Sequence, residues 1–164
     1  MAIVYLLLAL VIAGVDQLIK YFVLEKLVDA GRVSAIPHIL DLIYVENRGV
    51  AFGMFSDLRW LFVIITSIVI ITFIILLFKD GCKSKLFSIA CVLIVGGGIG
   101  NLIDRIAYGF VVDYLQLSFF SPVCNFADYC ITVGTVLLVI YLLFYSDFAK
   151  EDKKNIEITD NGQI

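Results

Sequence analysis

The chain has 164 residues, of which 62% are hydrophobic and only 16% charged, with a mean hydropathy of +1.03. A soluble domain of this size is roughly half apolar and about a quarter charged, so the surplus apolar side chains require lipid as their solvent. The net charge of −3, with no basic run outside the ends of apolar segments, excludes nucleic acid as a partner. The single histidine, His38, removes most zinc and triad chemistry, and the four cysteines (Cys82, Cys91, Cys124, Cys130) contain no CxxC pair. Pairing of Cys124 with Cys130 is open at this level. No metal site and no cofactor are expected.

Residues 2–24 form an apolar run long enough to span a bilayer, for which about 20 residues suffice. It lacks a basic leader and carries Asp16 and Lys20 in its second half, so it reads as a membrane helix rather than a cleaved signal. Asp16 and Lys20 are four apart and share one helix face. They form either an ion pair that orients the helix or a support for a nearby site.

Residues 25–59 are the longest polar region. Ser34 to Val45 is rich in β-branched and aromatic residues and predicts one or two short strands, with Pro37 at an edge or start. Glu46-Asn47-Arg48-Gly49 is a turn signal, and Val50 to Phe55 reads as a further strand or membrane-surface segment. A small sheet lying on the membrane is expected.

Three more spans follow, at 60–78, 86–106 and 126–145, with Trp60 as an interfacial anchor. Residues 79–85 make a tight charged connection, and the tail from Ser146 is polar. A single membrane-embedded domain is expected over 1–150, followed by a polar cytoplasmic tail over 151–164. Four spans put both termini on one side. Lys79, Lys83, Lys85, Lys150, Lys153 and Lys154 fall there, against Lys26, Arg32, Arg48, Arg59 and Arg105 opposite. This narrow majority predicts cytoplasmic termini and an outer-face polar region. The fold class is mainly α, integral membrane, with four helices and a small extracytoplasmic sheet.

Gly96 and Gly100 are spaced as GxxxG with no strand before them, which points to close helix packing rather than a nucleotide loop. Such packing turns Asn101 and Asp104, nearly one turn apart, toward a neighbouring helix. Arg105 either snorkels to headgroups or holds a carbonyl or phosphate-like group. Asn125 and Asp128 resemble a capping box at the start of the fourth helix. Asp113 has no such structural explanation, because it sits among Val111, Val112, Tyr114 and Leu115 in a non-helical or helix-end stretch. A loop of about a dozen residues brings it back beside Asp128. Two carboxylates in contact share one proton. That is a state in which one acid activates water while the other polarises a carbonyl.

Five segments in order carry a resemblance: Asp16-Gln17-Leu18-Ile19-Lys20, Glu46 to Gly53, Gly100 to Arg105, Val111 to Tyr114, and Asn125 to Asp128. The chain resembles the lipoprotein signal peptidases, the bacterial signal peptidase II family of membrane aspartyl proteases. The resemblance implies Asp113 and Asp128 as the catalytic pair. It implies Asn47, Asn101, Arg105 and Asn125 as residues lining the substrate site, and Asp16 and Lys20 as support, to which Asp104 is added. It further implies cleavage of prolipoproteins just before a diacylglyceryl-modified cysteine, in the bacterial cytoplasmic membrane; contact with membrane lipid and a monomeric state are expected. A rival reading is a small ion-coupled transporter using Asp16, Lys20, Asp104 and Arg105 as a relay. A weaker one is a non-catalytic assembly factor whose polar groups bind helix to helix.

Overall fold

The structure is a computed structural model that describes residues 2–49, 59–80 and 84–145. The segment expected over 50–55, Cys82 with its connecting loop, and the tail from Ser146 lie outside the described residues. Among the described residues, four helices are long and apolar enough to cross a membrane: α1 (Ala2–Ala30), α2 (Arg59–Asp80), α3 (Lys85–Ala107) and α4 (Phe126–Phe144). Four strands, β1 (Arg32–Ile36), β2 (Leu40–Asn47), β3 (Val111–Leu117) and β4 (Val123–Cys124), form one antiparallel sheet in the order β1-β2-β3-β4.

α1 runs six residues beyond the expected span. Past the apolar run it keeps good helix formers, and Val23 and Leu27 continue its buried stripe under the sheet, packed with Val112 and Tyr114. That stripe, Ala9, Ala13, Asp16, Lys20, Val23 and Leu27, recurs at alternating steps of four and three, so one face of α1 is buried from Ala9 to Leu27. Gly31 stops the helix. Its φ of 70° is left-handed, and its N–H returns to the Leu27 carbonyl at 3.2 Å.

The sheet is larger than expected. Val111 to Leu117 forms its third strand rather than an irregular stretch, pairing Val45 with Asp113 and Asn47 with Val111. Val111, Val112 and Tyr114 suit it to that place. Pro37 lies in the β1–β2 turn rather than within a strand. His38 beside it takes φ 64°, and Ile39 N–H closes the turn on Ile36 O at 3.0 Å.

α3 is the axis of the bundle. In its most apolar window 67% of residues are buried, against 17% or less in the other three helices. The glycines make this possible. A Cβ on Gly96 would meet Ala9 O of α1 at 2.8 Å, and one on Gly97 would meet Ala127 O of α4 at 2.5 Å. Gly134 of α4 returns the fit, with Ala90 O at 2.9 Å. The expected close packing therefore reaches α1 from Gly96 and Gly100 and α4 from Gly97.

Candidate functional site

The polar centre forms where α3 ends, α4 begins and β3 crosses the bundle end. The β3–β4 hairpin sets Leu115 opposite Cys124 and Gln116 opposite Val123, which returns the chain to α4 beside Tyr114. Tyr114 fixes that junction: its hydroxyl accepts the Phe126 N–H at 3.2 Å.

Asn125 caps α4. Its Oδ1 accepts the Asp128 N–H at 2.9 Å, and the Asp128 carboxylate accepts the Asn125 N–H at 3.2 Å, completing the capping box. With Oδ1 committed, the amide nitrogen is directed elsewhere. It donates to Asp113 Oδ1 at 2.6 Å and to Asn101 Oδ1 at 3.1 Å. The cap and the β3 acid are thus parts of one arrangement, so Asp128 is both a capping residue and a neighbour of Asp113.

Each acid has a second amide partner. Asn47 Nδ2 donates to Asp113 Oδ2 at 2.8 Å, and Asn101 Nδ2 donates to Asp128 Oδ1 at 2.8 Å. Asp113 is buried and Asp128 half-buried. Burial is the main reason the Asp113 carboxyl is pushed up to about 6. The negative charge of Asp128 adds to that effect, while the donors Asn47 and Asn125 and the charge of Lys20 oppose it.

Of the four residues expected to line a substrate site, Asn47, Asn101 and Asn125 spend their amides on the carboxylates. Asn47 is exposed at the rim, and its Oδ1 accepts the Gly49 N–H at 3.0 Å. Arg105 is half-buried, donates to Asn101 O at 3.3 Å and lies 5.5 Å over the Phe62 ring.

Beneath the pair lies an ion cluster. Lys20 contacts Asp16 and Asp104 at 2.8 Å each, and all three are buried. The intrahelical pair read from the spacing exists, and Asp104 makes it a triad. Gln17 was not singled out by sequence reasoning, because an uncharged amide in an apolar helix has no signature of its own. It donates to Asp104 Oδ1 at 2.8 Å and Gly100 O at 3.0 Å. Cys91, Cys124 and Cys130 are free thiols, so the Cys124–Cys130 pairing left open above is not made. Among the described residues, no three His, Cys, Asp or Glu side chains converge in a way that could hold a metal ion.

Four spans gathered under a surface sheet, with two carboxylates on one asparagine, describe an integral membrane protein whose polar centre lies at one end of its bundle. The family model described as signal peptidase (SPase) II matches residues 8–144. The chain is similar to the lipoprotein signal peptidase of Clostridioides difficile, 41% identical over 86% of this chain and 95% of that one. It is also similar to that of Halothermothrix orenii, 40% identical over 85% and 94%. Among solved structures, a bacterial membrane enzyme determined by the in meso method at 1.9 Å matches with a TM-score of 0.80 and 32% identity, over 87% of this chain and 94% of that one. The chain belongs to the signal peptidase II family. It is therefore a multi-pass protease of the cell membrane, and the ion-coupled carrier reading is set aside.

Proposed function

We propose that this protein removes signal peptides from prolipoproteins, cutting before a lipid-modified cysteine, with Asp113 and Asp128 activating a water between them. The observation that carries the reading is the bridge of Asn125 between the two acids, one buried and one half-buried. Asp113, with its raised affinity for a proton, is the acid that donates to the scissile carbonyl oxygen. Asp128, fixed by the Asn101 amide and the first turn of α4, takes the proton of the attacking water. Water oxygen bonds to the carbonyl carbon, and the tetrahedral species forms with its charge neutralised by Asp113. The C–N bond then breaks as Asp128 passes the proton it took from water to the leaving amine, and Asp113 recovers its own from the hydroxyl of the new carboxyl group.

Arg105, at the less buried edge, addresses the substrate directly, and exposed Asn47 does so while its amide holds Asp113. Asn101 and Asn125 act on it through the carboxylates they hold. The apolar exterior of α1, α2 and α4 admits a lipid-bearing substrate sideways, and the sheet end faces the outer side of the membrane, with both termini cytoplasmic. The protein acts as a monomer. The test is cleavage of a diacylglyceryl-modified prolipoprotein by Asp113→Asn and Asp128→Asn. Each is expected to accumulate as folded protein and to be inactive, and cleavage retained by either one overturns the reading.

A further inference from the structure

Lys20 is the most unusual side chain in the core. A lysine only 2% exposed, inside a membrane bundle, is costly unless every N–H is used. All three are used: Asp16 Oδ2 at 2.8 Å, Asp104 Oδ2 at 2.8 Å and Asn101 Oδ1 at 2.9 Å. Followed outward, the three arms end at the aspartate pair. Asp16 Oδ1 accepts the N–H of Ala127, the residue before Asp128, at 3.0 Å. Asp104 Oδ2 accepts the N–H of Val112, the residue before Asp113, at 3.0 Å. Asn101, with Oδ1 taken by the ammonium, has only its Nδ2 to offer Asp128. A flipped Asn101 amide would face the ammonium donor to donor.

We propose that Lys20 is a positioning residue for the two carboxylates. One ammonium fixes the backbone immediately before each acid and makes Asn101 a donor to Asp128. This rests on the aspartate chemistry given above and adds to it the device that sets the geometry. β3 and α4 belong to different parts of the fold, and nothing in strand or helix propensity brings their acids into register. A common anchor on α1 does so. Simple stability would not need this arrangement, since an apolar replacement of a buried ion cluster is often at least as stable. Gln17 keeps Asp104 in place by occupying its other oxygen.

The test uses the full chain in lipid nanodiscs with a diacylglyceryl-modified prolipoprotein as substrate. Lys20→Met is expected to lower kcat by about 100-fold with KM within about twofold, the signature of misplaced reacting groups rather than lost binding. Because this change strands two buried acids, a second variant combines Lys20→Met with Asp16→Asn and Asp104→Asn. It keeps carbonyl acceptors for Ala127 and Val112 but takes the ammonium from Asn101, whose Oδ1 is then held by the Asn125 amide alone. Its kcat is expected to fall by about tenfold or more, and adding Asn101→Ala to it should cost less than about twofold further, because both changes remove one arm.

A folded triple variant with parental kcat, or losses at Lys20 and Asn101 that multiply, overturns the proposal. If neither Lys20 variant accumulates, Asn101→Ala decides, since it leaves every ion pair in place: unchanged kcat there also overturns it. Asp113→Asn and Asp128→Asn are assayed alongside. Activity surviving in either points to failure of the aspartate chemistry itself. Dead aspartate variants beside a fully active Lys20 variant point to failure of the positioning role alone.

Discussion

Asn125 donates to Asp113 across 2.6 Å while its other side-chain atom caps the helix that carries Asp128. One side chain therefore couples the start of α4 to the third strand of the sheet. The two acids are thus tied to one asparagine rather than left to a flexible loop.

The Asp113 carboxyl is raised from 3.8 to about 6, chiefly by burial. An acid that holds its proton more tightly when folded stabilises the fold below its unfolded value, and that contribution is lost as pH rises through about 6. By neutral pH the loss amounts to about 1–3 kcal/mol. The melting temperature should therefore fall between pH 5 and pH 7.5, and Asp113→Asn should flatten that slope while abolishing activity. The same titration should open an alkaline limb in kcat/KM near pH 6. Equal slopes for the parent and Asp113→Asn would contradict this account.

Two neighbouring glycines should respond differently to alanine. At Gly97 the new methyl would lie 2.5 Å from Ala127 O, a backbone atom beside Asp128, whereas at Gly98 it would lie 3.1 Å from the Ile70 side chain. Overpacking of this kind costs about 1–3 kcal/mol. Replacing a helical glycine returns about 1 kcal/mol. Gly97→Ala should destabilise the protein and impair cleavage, and Gly98→Ala should leave both near parental values. Denaturation in detergent and a cleavage assay distinguish the two.

Arg105 rests on Phe62 and on one backbone carbonyl, so its removal leaves the carboxylate pair and the ion cluster intact. If it holds a polar group of the substrate, Arg105→Ala forfeits a charge-assisted bond of about 1.5–3 kcal/mol. KM should rise by about tenfold or more, with kcat and thermal stability little changed. A loss confined to kcat would place Arg105 with the positioning groups instead.

The proposed chemistry runs on protons moved between two carboxyls and a water. Excess EDTA should leave cleavage unchanged. Activity lost to the chelator and restored by a divalent ion would recast the two acids as metal ligands.

Much of the fold is legible from composition and periodicity. The four spans are apolar runs of bilayer length, and the observed helices differ from them by only one or two residues at most ends, α1 excepted. The extension of α1 to Ala30 was hidden because Glu25, Lys26 and Asp29 look like a loop to a hydropathy window, although they are compatible with a helix that has left the lipid. The third strand was hidden because Val111 to Leu117 is short and its partners lie some 70 residues earlier in the chain. Asp113 stood out as an acid its neighbours do not explain, whereas Asp128 by itself read as part of a capping box. The contacts of Asp16 with Ala127 N–H and of Asp104 with Val112 N–H were beyond reach, because a carboxylate's choice of a distant backbone amide leaves no trace in local pattern.

The burial of α3 among its neighbours has a consequence for biogenesis. α1 enters the bilayer with Asp16 and Lys20 already able to neutralise each other, one turn apart. Asp104 meets its ion-pair partner Lys20 only when α3 docks on α1. The third segment is thus a poor passenger in lipid by itself, and its stable integration depends on the first segment waiting nearby. A nascent chain that lost Lys20 would expose an orphan acid to the hydrocarbon, a lesion that membrane quality control could detect before any substrate is met.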